Sequence, residues 1–314
     1  MNITELESEI RDRINRRRPQ HELLSRVADW NRLCSALDVI GDTELALTAY
    51  LAQPHMESIG LWYVFAYGTL QLLEIQQDAV AHICKALRIK TQNSPKLPTI
   101  RMIRNNAVGH PFEENENKVT KSNFIVRSSL NQHGFSLMTV FSDGKPYSQR
   151  YVSIPQLVTE QQKALQKVLE EVIKKLDEAE MKHRTKHQDQ RLSTAFADTL
   201  PYFFSKIFEA VYNPTYFPLG AKHVDFVAEC LVQLRQLLEQ RGAWGIHDSV
   251  NYKYELLEYP LAELKRFFAE NASSKLNAKD AYIFCAFVQE QIKTLQQIAE
   301  EIDEEYAQVP KRGD

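Results

Sequence analysis

Between residues 122 and 154 the hydrophobic period of this chain changes, and that change sets the class of fold open to it. On either side, apolar residues recur at the three- and four-residue spacing of a buried helix face. Leu23, Leu24, Val27, Trp30, Leu33 and Cys34 form one such stripe. Inside the window the chain becomes β-branched and aromatic in three runs, residues 123–129, 134–141 and 147–154. Asn131-Gln132-His133-Gly134 and Ser142-Asp143-Gly144-Lys145 punctuate the runs as turns. Three short strands joined by tight turns predict a small antiparallel meander, closed by Pro155. Only 10 glycines in 314 residues leave the remainder rich in helix formers. The expected fold class is therefore mainly α: a helical bundle with a small antiparallel β meander and a C-terminal helical domain.

Helices are predicted over residues 3–17, 20–37, 42–52 and 56–89, with a further helix opened by Pro98. A long amphipathic helix follows over 157–187. Lys182 to Gln190 is rich in basic and histidine side chains and nearly free of apolar ones, which marks a domain boundary there. It divides the chain into residues 1–188 and 189–314, each an ordinary domain size. Four more helices are expected beyond it, over 191–212, 221–241, 253–270 and 277–306.

A net charge of −3 gives no global footprint for nucleic acid, so any RNA site must be local. No apolar run approaches the roughly 18 to 20 residues needed to span a bilayer, so no membrane is expected. Met1 to Arg18 is charged throughout and lacks the apolar stretch of a signal peptide. Cys34, Cys84, Cys230 and Cys285 form no C-x-x-C pair and sit in apolar helical patterns. They read as buried thiols in a reducing cytoplasm, without zinc. His183, His187 and His223 have no ligand spacing, and no metal or cofactor is expected.

The stretch most suited to chemistry is Arg104-Asn105-Asn106-Ala107-Val108-Gly109-His110-Pro111. Arg104 can fork onto a phosphate and stays charged at any working pH. His110 belongs to the residue type whose ordinary pKa, about 6.5, suits proton transfer near neutrality. Ile100, Ile103 and Ala107 give the segment a helical apolar stripe, and Gly109 and Pro111 stop it beside the histidine. Arg241-Gly242-Ala243-Trp244-Gly245-Ile246-His247 repeats the spacing, but its two glycines argue against a helix.

The Arg104 segment resembles the Arg-polar-x4-His signature of the HEPN superfamily, helical-bundle nucleotide-binding proteins that include many metal-independent endoribonucleases. Leu70 to Val80, with Gln76-Gln77-Asp78-Ala79, looks like the core helix that precedes the motif helix in bacterial members. The likeness covers residues 20–120. It implies Arg104, Asn105 and His110 as catalytic residues, a 2′-hydroxyl attacking the adjacent phosphorus, no metal, and a toxin or phage-defence role. It also implies a homodimer in which two motif helices meet, with RNA as substrate and an antitoxin-like or effector protein as a further partner.

Three neighbouring residues are candidates for substrate binding. Arg101, one turn before Arg104, suits a flanking phosphate. Gln77 and Asp78 are costly in an apolar helix if unpaired; either they face the site, pairing with Arg104 or His110, or they cap a buried network. Six residues along an ideal α-helix separate Arg104 and His110 by about 120° and about 9 Å. A working site then needs unwinding at Gly109 or a second copy of the motif.

The arginines at 11, 13, 16, 17 and 18 suit either RNA phosphates or a solvated face. Tyr202, Phe203, Phe204, Phe208, Tyr212, Tyr216 and Phe217 suit either core packing or base stacking. Two functional readings follow: an endoribonuclease, or a non-catalytic helical scaffold that binds a nucleotide or a protein.

Overall fold

The computed structural model describes residues 1–55, 57–91, 94–109, 112–114, 120–269 and 274–307. The chain is mainly helical with a small antiparallel sheet, and it divides into two compact units, Met1–Asp177 and Glu178–Asp314. Among the described residues no helix is long and apolar enough to cross a membrane.

The first unit opens with α1 (Ile3–Ile14), whose N-terminus is closed by a reciprocal capping box between Asn2 and Glu5. Next come α2 (Arg17–Leu24), α3 (Val27–Leu51) and α4 (Ile59–Ala86). α3 merges most of two predicted helices: its buried stripe Leu33, Leu37, Ile40, Glu44 and Leu47 runs straight through Gly41. That continuity of the packed face outweighs a single glycine. α1, α3, the C-terminal half of α4 and the first part of the long helix α6 (Ile154–His187) enclose one core, with Ile10, Leu37, Ile83 and Leu169 fully buried.

A second core lies under the sheet. α5 (Lys96–Arg104) contributes Ile100 and Ile103, α4 contributes Leu70 and Leu73, and the inner sheet face contributes Phe135, Leu137 and Val152. The strands are β1 (Phe112–Glu114), β2 (Thr120–Asn131), β3 (Gly134–Phe141) and β4 (Ser148–Ser153), antiparallel in the order β1-β2-β3-β4. The last three match the predicted meander. β1 was not expected, because its Phe-Glu-Glu sequence begins an acidic run; it pairs antiparallel with β2, Phe112 opposite Ser122 and Glu114 opposite Thr120. A bulge between Val126 and Asn131 is stitched by Ser129, whose Oγ donates to the Val126 carbonyl and accepts from Ser136 N–H.

The second unit holds the end of α6, a 3₁₀ turn at Leu192–Ala195, α7 (Leu200–Val211), α8 (Phe217–Gln240), α9 (Asp248–Phe268) and α10 (Ala278–Ala307). Its core includes Phe204, Ile207, Val227, Leu234, Leu257, Cys285 and Ile292. Phe203, Phe208 and Phe217 pack against that core, while Tyr202, Tyr212 and Tyr216 are exposed. The boundary at Asp177/Glu178 falls inside α6, about one-third of a helix before the expected position near 188. Residues 182–187 form the last turns of α6.

Candidate functional site

Helical spacing on α4 places Gln71, Glu74 and Asp78 on one face, in steps of three and four residues. α5 sets Arg101 and Arg104 one turn apart against that face. Arg101 Nη2 donates to Asp78 Oδ1 at 2.6 Å, and its Nη1 lies 3.6 Å from Glu74 Oε1. Arg104 is gripped side-on by the Gln71 amide: Nε and Nη2 donate to Oε1 at 3.1 and 2.5 Å. Its Nη1 donates to Asn105 Oδ1 at 3.0 Å. Glu74 Oε2 lies 2.6 Å from Arg104 Nε but makes no hydrogen bond, so the contact is ionic and off the N–H direction.

Two guanidinium groups thus face two carboxylates, and their formal charges cancel. The Arg104 and Glu74 side chains are only 20% and 15% exposed, against 38% and 52% for Arg101 and Asp78. The inner pair is therefore the one where electrostatics is least screened. Among the described residues, acceptors meet three of the five N–H groups that an arginine carries.

Beyond Arg104 the helix widens. Asn105–Gly109 is a π-helical turn, so residue 109 closes back toward residue 104 rather than continuing the α pitch. Gly109 is needed there in a specific sense: a Cβ on it would stand 2.6 Å from Arg104 Nη1. Buried Ala107, with Ile100 and Ile103, ties the inner side of this segment to the core. The separation worked out for an ideal α-helix does not hold over this turn. His110 lies outside the described residues, as do Pro111 and residues 115–119.

The polar run of α4 divides between two environments. Asp78 is on the site face but pairs with Arg101, not with Arg104. Gln77 is a correction to the expected substrate-binding set: it points inward, is 7% exposed, and donates from Nε2 to Gln161 Oε1 at 2.7 Å. Gln161 in turn donates to the Leu73 carbonyl and to Gln76 Oε1, both at 2.9 Å, and Gln76 donates to Glu44 at 2.6 Å. Successive residues on a helix differ by about 100°, which separates Gln77 from Asp78. Burial of these amides is tolerable because each finds a partner.

Gln71 and Glu74 were the residues missed. Their signal was present: two polar side chains at helical spacing from Asp78, one turn and two turns earlier, in an otherwise apolar helix. Three of the five N-terminal arginines stand in ion pairs. Arg11 pairs with Asp38 and Glu7, Arg13 with Asp177 and Glu9, and Arg18 with Glu22. Among the described residues no group of three or more His, Cys, Asp or Glu side chains is placed to hold a metal ion. No protein-family model, curated protein or solved structure matches the chain.

Proposed function

We propose that the chain is a metal-independent endoribonuclease of HEPN type. The observation that carries this reading is the setting of Arg104: braced by Gln71 and Asn105 at the head of a π turn, next to a glycine, with N–H groups still uncommitted among the described residues. A fixed guanidinium of that kind stabilises charge that builds on a phosphorane. In the proposed reaction a ribose 2′-oxygen forms a bond to phosphorus and loses its proton to a base. The P–O5′ bond breaks, and His110 gives a proton to the departing 5′-oxygen. The products are a 2′,3′-cyclic phosphate and a 5′-hydroxyl end. Asn105 orients Arg104, and Arg101 holds a flanking phosphate after leaving Asp78.

The second reading, a non-catalytic scaffold for a nucleotide or protein partner, is favoured by one feature. Glu74 and Asp78 already neutralise both arginines, so an incoming phosphate must compete with carboxylates. The homodimer through the motif helix also remains a proposal. It is supported by Leu61, Val64 and Ile75 on α4 and Met102 on α5, apolar side chains exposed by 37, 61, 36 and 46%. Cytoplasmic residence follows from the free cysteines by the same kind of inference.

The test is cleavage of single-stranded RNA by wild type, Arg104→Ala and His110→Ala in EDTA, with end-group analysis. We expect cleavage by wild type only, with cyclic phosphate ends. Activity restored by magnesium after chelation rejects the metal-free mechanism. No cleavage of any RNA leaves the scaffold. Sedimentation at micromolar concentration tests the dimer: a monomer that cleaves rejects it.

A further inference from the structure

We infer that the outer face of the sheet is a platform for single-stranded nucleic acid. The strand register fixes which side chains share that face. Phe124 stands opposite Met138, Val126 opposite Ser136 and Ser122 opposite Val140, and Ser136 stands opposite Tyr151. Side chains alternate along a strand, so Phe124, Val126, Met138, Val140 and Tyr151 lie on one side. Ile125, Phe135, Leu137 and Val152 take the other side and pack into the core under the sheet. A covered face would bury its large residues, yet Phe124, Val140 and Tyr151 are 49, 40 and 56% exposed. Tyr151 is also held in place. Its hydroxyl accepts from Asn131 Nδ2 at 3.3 Å, and its ring uses the space of the side chain that Gly134 lacks, with Cζ 3.1 Å from where a Cβ would stand. A ring braced on one side and open on the other loses little freedom when a flat group stacks on it.

Charge selects the occupant. Residues 120–153 carry Lys121, Arg127, Lys145 and Arg150 against a single acid, Asp143, and Asp143 is taken by Lys145 at 2.8 Å. Among the described residues Lys121, Arg127 and Arg150 form no ion pair. Arg127 directly follows Val126, Arg150 directly precedes Tyr151, and both are exposed. The acids of the sheet, Glu113 and Glu114, fall on β1, at the edge opposite β4. An excess of cations on β2–β4, in a chain of net charge −3, is the local footprint of a polyanion site. An apolar protein surface would match Met138 and Val140 and leave these cations unanswered. A duplex would answer the cations, but its bases are stacked on each other and cannot reach the rings. A single strand answers both, with bases on Phe124 and Tyr151 and phosphates on Arg127 and Arg150. The two aromatic positions are about 12 Å apart by strand spacing, so one short stretch reaches both. Stacking and phosphate contact do not read the 2′-hydroxyl, so the platform goes beyond the ribonuclease reading and holds for a protein that binds without cleaving.

The experiment measures binding of a labelled single strand of about 10 nucleotides, oligouridine or its deoxy counterpart, by fluorescence anisotropy in EDTA. Thermal melting controls for folding. The deoxy strand has no 2′-hydroxyl to attack phosphorus, so binding is read apart from cleavage. We expect Phe124→Ala and Tyr151→Ala each to weaken binding by about 5- to 100-fold, with Tm little changed. Arg127→Gln combined with Arg150→Gln should flatten the slope of log affinity against log salt by about 1.4. A duplex of the same length should not compete. If the ring variants bind as wild type does, or if duplex competes as well as single strand, the platform is rejected whether or not the protein cleaves RNA. If neither strand binds wild type, the platform is rejected as well; a Tyr151→Asp protein of lower mass at micromolar concentration would then show that the face joins two copies of the chain. A protein that binds the deoxy strand through these rings and cleaves no RNA keeps the platform and rejects the ribonuclease.

Discussion

Arg104 and Arg241 each stand six residues before a histidine, and their surroundings differ in every respect that matters for chemistry. Arg241 follows the last residue of α8 and is 1% exposed. Its Nη2 donates to Asp303 Oδ1 at 2.8 Å and to the Gln190 carbonyl, and its guanidinium carbon lies 4.7 Å from the centre of the Tyr306 ring. Asp303 also accepts from Leu192 and Ser193 N–H, at 2.8 and 2.9 Å. Burial pushes the Asp303 carboxyl up, but the Ser193 and Leu192 N–H groups and Arg241 outweigh it and hold the carboxyl below the ordinary range. Arg241 is a clamp that fixes the 3₁₀ turn to α8 and α10. Arg104 is held by a neutral amide, touched off-axis by a carboxylate, and left partly open. Residue spacing is identical in the two places, so function has to be judged from what accepts the guanidinium and how far water reaches it.

The sharpest way to break this contrast is to remove both arginines in turn. Arg241→Met leaves a buried carboxylate without its cation and should cost the second unit about 3–5 kcal/mol in urea denaturation. Arg104→Ala should cost less, about 1–3 kcal/mol, because Glu74 loses its nearer cation but keeps Arg101 at 3.6 Å. Acid adds a second readout. Asp303 has a lowered folded pKa, so its contribution is fully present above the unfolded value of about 3.9 and is lost as pH falls through the folded value. The wild-type second unit should therefore lose stability only below about pH 4 from this group. A stable Arg241→Met protein would mean that the clamp is not one.

Within the first unit, Gln77 and Asp78 allow a smaller test of the same kind. Gln161→Leu takes the partner from Gln77 Nε2 and from Gln76 Oε1 in the interior and should cost about 1–3 kcal/mol. Asp78→Ala removes only a half-exposed ion pair and should change stability by less than about 1 kcal/mol. Equal effects would show that the buried amides are not acting as a network.

The fold was legible where one side-chain pattern ran uninterrupted. The period change at 122–154 located the meander, and the Ile100, Ile103, Ala107 stripe located the inner side of the motif segment. Helix joins were less legible. The gap expected between helices 20–37 and 42–52 falls in the continuous packed face of α3, and the gap expected between 3–17 and 20–37 falls inside the first turn of α2. Arg101, Arg104 and Asn105 lie together at the end of α5 and the start of the π turn. Gln77 does not join them, since one residue of helix rotation decides between site and interior. Gln71 and Glu74 carried a local signal, polar side chains two turns and one turn before Asp78, but only α4–α5 packing sets them against Arg104. The π turn was not legible either, because its Gly109 reads as an ordinary helix stop.

His223 tests burial without pairing in the second unit. It is 6% exposed and stacked on Phe203 at 5.1 Å, and neither ring nitrogen has a hydrogen-bond partner among the described residues. Burial, with Lys222 and Lys206 nearby, lowers its pKa from 6.5. A base with a lowered folded pKa binds protons more readily when unfolded, so stability falls as pH drops from about 6.5 toward the folded value. His223→Leu should stabilise the unit by about 1 kcal/mol at neutral pH, since an unmet polar group is replaced by an apolar one. The same substitution should flatten the pH dependence that sets in below about 6.5. Unchanged stability and slope would mean that the imidazole finds partners in solution.

The finest test of the contrast comes from the glycine beside each arginine. Gly242 follows Arg241 at φ 61°, a left-handed conformation, so Gly242→Ala should cost about 1–2 kcal/mol and leave RNA cleavage untouched. Gly109 has no positive φ; its role is space for the Arg104 guanidinium. Gly109→Ala should therefore be neutral or stabilising by up to about 1 kcal/mol, since alanine is the better helix former. The new methyl group would meet the mobile end of Arg104, which can swing away at little cost to the fold. That swing breaks the side-on grip of Gln71 and moves the cation off its line to the phosphate. Cleavage should drop by at least about tenfold with the melting temperature held or raised, a loss of about 1.4 kcal/mol of transition-state stabilisation. If Gly109→Ala keeps full activity, the close approach of Arg104 to the π turn has no part in the chemistry, and Arg104 becomes as structural as Arg241.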